Sequence, residues 1–231
     1  MIEKRLSKNI ITSDTHVLCL RFKYKEKEDM LKRLDLFCEI TVPAIKSQVD
    51  KNFVVCLIVN PNHEKVIRER SGLEFEAFYS LSEYNEMIKK NGVMLQSRMD
   101  CDDSIDPEYI ADVKKRVLHA LNKREDLEGI AVHYQVLKYD PQTGKIWKRE
   151  RNYHSQLTSM FLTIWQKEDP KGIYEYAHNE WWRHVNEVVT VEHGFARWTM
   201  HPEQHHKRPD RGDYSINNKC EAEIRTWFRN L

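Results

Sequence analysis

Apolar and polar positions along this chain switch repeatedly between strand-like and helix-like spacing. Val17-Leu18-Cys19-Leu20 is a short apolar run closed by Arg21, which predicts a buried strand with a charge at its carboxyl end. Over residues 27–39, Met30, Leu31, Leu34, Phe37 and Cys38 recur at helical spacing, predicting an amphipathic helix whose continuation to Gln48 breaks or bends at Pro43. Phe53-Val54-Val55-Cys56-Leu57-Ile58-Val59 is continuously apolar, as strands buried on both faces of a parallel sheet are, and it ends in the loop signal Asn60-Pro61. Residues 62–70 read as a short charged helix, 73–78 as an alternating strand and 82–91 as a helix. Val93-Met94-Leu95 then opens another strand, and Asp106 (as N-cap) with Pro107 at the first helical position starts a helix over 107–123.

This alternation predicts an α/β fold, a Rossmann-like, mostly parallel sheet flanked by helices, because right-handed crossovers leave few other arrangements. The second half changes character. Residues 130–139 form a strand, 140–145 a turn, and the chain returns through Trp147, which predicts antiparallel additions to the sheet. Short elements are expected at 158–165, 173–186, 188–192 and 195–201, and a closing helix at 217–229, with residues 1–14 a loosely held arm. A single domain over 1–231 is expected, its nucleotide-binding half at 15–123 and its second half at 124–231.

Composition narrows the function classes. Thirty-seven Lys and Arg against 36 Asp and Glu leave no global field for nucleic acid or a membrane surface. No apolar run approaches the length of a transmembrane segment, and the N-terminus has no signal-peptide core. Cys19, Cys38, Cys56, Cys101 and Cys220 are odd in number and without CxxC spacing, which predicts reduced thiols and a cytoplasmic location.

The densest chemistry follows the strand at 93–95, where Arg98, Asp100, Asp102 and Asp103 fall within six positions. Carboxylates this close repel one another unless a counter-charge is present, and Mg²⁺ or Mn²⁺ with its preference for oxygen ligands supplies one. In an extended chain Arg98, Asp100 and Asp102 point to the same side, so the arginine could pair with a carboxylate or a diphosphate. The plainer reading is an acidic flank at a helix N-terminus, which accounts for Asp106 and Asp103 better than for the other two.

Arg98-Met99-Asp100-Cys101-Asp102-Asp103 before a helix resembles the Arg-Leu-Asp-Asn-Asp-Asp signature of the rhamnosyltransferase family, glycosyltransferases of the GT-A type. The N-terminal third agrees through Leu20-Arg21-Phe22, Arg33-Leu34-Asp35-Leu36-Phe37, the run from Thr41 to Gln48, and Asn52-Phe53. It departs at Pro43-Ala44, where the family has Pro-Ser. The resemblance implies a GT-A-like fold, a nucleoside-diphosphate sugar donor and a glycan or other hydroxyl acceptor, with 15–123 binding the nucleotide sugar and 124–231 the acceptor. It also implies a metal-dependent transfer of a sugar, rhamnose by the family's name. Arg21, Asn60, Arg98 and Asp100 would meet the donor, and Asp100, Asp102 and Asp103 the metal, completed by His201 at the end of Trp198-Thr199-Met200.

An inverting transfer needs a base for the acceptor hydroxyl, and Glu175, His178 and Glu180 are the candidates, each of which could equally be structural. Trp181 and Trp182 could form a platform for a sugar ring or belong to the core. Two other functions remain open on the residues. A metal-dependent phosphohydrolase or nucleotidyltransferase also uses paired Asp, although no Gly-rich phosphate loop or second acidic cluster is present. A non-catalytic carbohydrate-binding scaffold is the other.

Overall fold

A computed structural model of the chain describes residues 11–140, 145–149, 161–177, 180–199 and 214–216, with backbone alone at 135–140, 145–149, 192–199 and 214–216. The parallel half comes first: β1 (His16–Phe22), α1 (Lys27–Leu36), α2 (Val42–Lys46), β2 (Val54–Val59), α3 (Glu64–Ser71), β3 (Glu76–Phe78), α4 (Leu81–Asn91) and β4 (Leu95–Asp100). After it come β5 (Ser104–Ile105), α5 (Tyr109–Lys123), β6 (Gly129–Asp140), β7 (Lys145–Arg149), β8 (Leu162–Gln166), β9 (Glu187–Thr199) and β10 (Tyr214–Ile216).

The strands form one sheet in the order β10-β7-β6-β8-β4-β1-β2-β3, with β9 joined to β6 and β5 to β9. Strands β3, β2, β1 and β4 run parallel, and β8 enters antiparallel beside β4. This is the predicted mostly parallel half with antiparallel additions. Alternation along β1 shows why both faces are covered. Leu18, Leu20 and Phe22 pack with Met30 and Leu34 of α1, whereas Val17 and Cys19 pack with Tyr84 and Ile88 of α4.

Several boundaries differ from the sequence reading. The helix over 27–39 does not break at Pro43; it widens into a π-helical turn over Phe37–Thr41 and continues as α2. Proline has no N–H to donate and its ring crowds the preceding turn, and the wider turn accommodates both. The Asp106 carboxylate accepts the Glu108 N–H at 2.9 Å, as an N-terminal cap would, but regular helix starts at Tyr109. The pieces expected at 188–192 and 195–201 are one strand, β9. The expected helix at 217–229 lies outside the described residues.

A polar chain crosses the floor of the sheet under α5. The His16 Nε2 lies 2.8 Å from the Ser97 hydroxyl, which lies 2.5 Å from that of Thr163, itself 3.3 Å from the Tyr109 hydroxyl. Burial, reinforced by the Lys114 charge and opposed by Asp50, pushes the His16 pKa down to about 3. The folded state therefore keeps His16 neutral while the unfolded chain takes up its proton below about pH 6.5. Stability from this residue is complete above that pH and falls by about 1.4 kcal/mol per unit on acidification toward pH 3. Urea unfolding at pH 7 and pH 5 should show a smaller acid loss for His16→Gln than for the native chain. Equal losses would refute the assignment.

Candidate active site

The carboxyl ends of β1, β2 and β4 meet at one edge of the sheet, where open α/β sheets hold their ligands. Register places Arg21 of β1 directly beside Asp100 of β4, and Arg21 is exposed. Asn60 follows β2 at the same edge. It serves the loop there, its amide donating to the Tyr24 carbonyl at 3.4 Å and its Oδ1 accepting the Asn62 N–H at 3.1 Å. That is the turn role its residue type allows without any ligand.

Along β4 the two-residue period sends Gln96, Arg98 and Asp100 to one face, as the sequence predicted for the last two. Gln96 is fully buried and fastens the segment 171–174 over that face. Its Oε1 accepts the Ile173 N–H and the Tyr84 hydroxyl, each at 2.9 Å, and its Nε2 donates to the Lys171 carbonyl at 2.9 Å. Tyr174 is thereby set over Arg98, whose guanidinium lies 4.6 Å from the ring centroid. Arg98 is 12% exposed, reaches Asp100 at 4.0 Å, and its Nε has no hydrogen-bond partner among the described residues. A half-buried guanidinium facing a carboxylate 37% exposed at a strand end puts fixed positive charge at the edge of the sheet.

Asp102 departs from the expected parity. The strand ends at Asp100 and a turn follows, closed by the Asp103 N–H on the Asp100 carbonyl at 3.3 Å. The turn carries Asp102 toward α1, where Arg33 binds it at 3.0 Å with both side chains 16% exposed. Asp103 is fully buried. Burial, and after it the charge of Asp102, raise the Asp100 pKa above the ordinary carboxylate range, while Arg98 and Arg21 oppose them. Asp100 and Asp102 are thus close enough to repel. Among the described residues no group of three His, Cys, Asp or Glu side chains converges as a cation site.

The candidate bases divide. Glu175 is exposed and accepts a hydrogen bond from Asn85 of α4 at 2.9 Å, so it is turned toward that helix. Glu180 is exposed, and His178 and His201 lie outside the described residues. Residues 173–176 form turns and bends, and a short 3₁₀ turn follows at Trp181–Arg183. Trp181 is core, 1% exposed, with its Nε1 donating to the Ile173 carbonyl at 3.0 Å, whereas Trp182 is 41% exposed. Gln96 and Tyr174 escaped the sequence reading as site residues, since nothing local marks a Gln on a strand as an anchor.

The family model described as "Putative rhamnosyl transferase" matches residues 80–210, more than half of the chain and including the whole Arg98–Asp103 stretch. The chain belongs to this family. Its members are glycosyltransferases, and the sheet described above is the GT-A-like arrangement expected of them. No curated protein matches the sequence.

Among solved structures, the family member resembles Staphylococcus aureus TarS 1–349 in complex with UDP-GlcNAc, at 11% identity and a TM-score of 0.49, over 83% of this chain and 60% of that one. It also resembles a cytidylyltransferase from Leptospira borgpetersenii, at 12% identity and a TM-score of 0.46, over 80% of this chain and 78% of that one. The chain therefore spans about 60% of the length of the TarS chain it matches. No described helix is long and apolar enough to cross a membrane.

Proposed function

We propose that this chain transfers a sugar, rhamnose by kinship, from a nucleoside-diphosphate donor to a glycan or other hydroxyl acceptor. The observation that carries the reading is Arg98, buried beneath Tyr174 and facing Asp100, with Arg21 beside that carboxylate at the strand ends. Transfer to a hydroxyl leaves negative charge on the departing diphosphate, and fixed cationic groups at that point stabilise it. Residues 15–123 then form the donor half and 124–231 the acceptor half.

A divalent cation, Mn²⁺ or Mg²⁺, fits the pair Asp100 and Asp102. Both are hard oxygen donors, and the charge of Asp102 adds to the burial that raises the Asp100 pKa against Arg98 and Arg21, so the two carboxylates are near enough to share a cation. Such an ion commonly takes one or two carboxylates and completes its shell with phosphate oxygens and water, so a two-carboxylate site suffices. Bound there, it would supply further positive charge to the leaving diphosphate. Buried Asp103 is left out of the set. Arg98 orients the diphosphate and Arg21 caps the open edge, while Glu180 or His178 would take the acceptor's proton if the reaction inverts. The free thiols of Cys19, Cys38, Cys56 and Cys101 suit the reducing cytoplasm.

Thermal melting against UDP, GDP, CDP and dTDP, each with Mn²⁺ and with EDTA, tests this reading. A ligand of the folded state raises the melting temperature according to its affinity. One nucleotide should raise it only with manganese, and Asp102→Asn should abolish that rise. A manganese-dependent rise retained in Asp102→Asn would remove that residue from the site. Sugar binding indifferent to chelator, with no donor turnover, would favour a carbohydrate-binding scaffold. Release of phosphate from sugar phosphates without acceptor would favour a hydrolase.

A further inference from the structure

Two polar side chains on the rod formed by α1, the π turn and α2 reach the loop after β4, and a third, just past the rod, reaches the segment after β5. Arg33 holds the Asp102 carboxylate at 3.0 Å. The Thr41 hydroxyl lies 3.0 Å from the Cys101 carbonyl and 2.7 Å from the Asp103 carbonyl, sharing its single proton between them. Beyond it, the Gln48 amide donates to the Asp106 carbonyl at 2.7 Å and its Oε1 accepts the Ile110 N–H at 3.1 Å.

Spacing explains how one rod serves both Arg33 and Thr41. Arg33 and Thr41 are eight residues apart, which would place them about 80° apart around an uninterrupted α-helix of 3.6 residues per turn. The wider π turn over Phe37–Thr41 winds back most of that difference. Gln48 lies two residues past the end of α2, and it meets Asp106 and Ile110 beyond β5 rather than the turn itself.

Thr41 is fully buried, and the two carbonyls it binds flank Asp102. The hydroxyl holds the peptide before Asp102 through the Cys101 carbonyl and the peptide after Asp103 through the Asp103 carbonyl, the Asp103 N–H on the Asp100 carbonyl holds the peptide between Asp102 and Asp103, and together these bonds set the direction of the Asp102 carboxylate. We propose that Thr41 is a positioning residue for Asp102, and that the π turn is the device that brings its hydroxyl to the loop. The functional half of this inference rests on Asp100 and Asp102 serving the donor.

The test compares the native full chain with Thr41→Val, which keeps the shape and removes the hydroxyl, and Thr41→Ser, which keeps the hydroxyl. Backbone hydrogen exchange over 100–105 should quicken at least tenfold in Thr41→Val, with β2 exchange unchanged, and return to the native rate in Thr41→Ser. Manganese-dependent binding of whichever of UDP, GDP, CDP and dTDP the native chain takes should weaken at least fivefold in Thr41→Val and recover in Thr41→Ser. Native exchange over 100–105 in Thr41→Val, or a serine variant as impaired as the valine one, overturns the proposal. If the valine variant does not fold, Thr41→Ala carries the same expectations. If the native chain binds none of the four nucleotides, the functional reading fails while the exchange comparison still decides what Thr41 holds.

Discussion

Asp100→Asn is expected to lower donor turnover by about 10²–10³-fold, the usual loss when one electrostatic partner of a reacting group is removed, while its melting temperature stays at or above that of the native chain. The two halves of this expectation have a common origin. Burial and the neighbouring Asp102 raise the Asp100 pKa, so the ionised carboxylate is disfavoured in the folded state relative to the unfolded one. A raised carboxylate pKa costs stability at neutral pH, and the neutral amide removes that cost while keeping the shape. A structural aspartate would behave in the opposite way, losing stability on substitution, whereas functional sites commonly retain such unfavourable charge. Release of nucleoside diphosphate from the nucleotide sugar that binds best, read beside a thermal melt, decides the matter. Turnover within threefold of native, or a lost activity that simply follows a lowered melting temperature, would remove Asp100 from the donor site.

How much of this was legible in the sequence depends on how local each feature's cause is. The strands β1, β2 and β4 and the helix α4 are written in continuous apolar runs or helical periods, and they form close to where those patterns place them. The common side of Arg98 and Asp100 was legible for the same reason, since both lie on β4 and strand period alone sets their direction. Asp102 was not, because β4 ends one residue after Met99 and the direction of Asp102 is then set by a turn and by Arg33, 69 residues away.

Pro43 correctly announced a disturbance in its helix, but not that a π turn would absorb it. The elements expected at 188–192 and 195–201 leave a gap at His193-Gly194. Pairing with β5 and β6 carries β9 across it, with a register shift opposite Tyr134 and Val136. Segment 171–174 takes its place from Gln96 of β4, 77 residues from Ile173, and no local pattern announces that bond. Local pattern specifies the elements, here the strand ends that carry Arg21, Arg98 and Asp100, while distant partners specify the loops that bring Asp102 and Tyr174 to them.

Gln96→Met should therefore be the most destabilising single change in the loop-bearing half of the site. Methionine fills nearly the same volume but offers none of the three hydrogen bonds. The Tyr84 hydroxyl and the Ile173 N–H would lose the Oε1 they share, and the Lys171 carbonyl would lose its donor. Leaving a buried polar group unsatisfied costs about 1–3 kcal/mol each, so a loss on the order of 3 kcal/mol is expected even if water reaches the carbonyl. Urea unfolding measures it.

The functional consequence follows from geometry. Segment 171–174 holds the Tyr174 ring against Arg98, and Trp181 is tied to the same segment through the Ile173 carbonyl. Loosening it exposes the guanidinium to water and frees its direction, which weakens its grip on a diphosphate. Nucleotide affinity should fall at least tenfold at a temperature where the variant remains folded, and Tyr174→Leu, which removes the ring but keeps Gln96, should reproduce the affinity loss with a smaller loss of stability. A Gln96→Met protein that is destabilised yet binds nucleotide as the native chain does would separate the anchor from the site and leave Arg98 positioned by β4 alone.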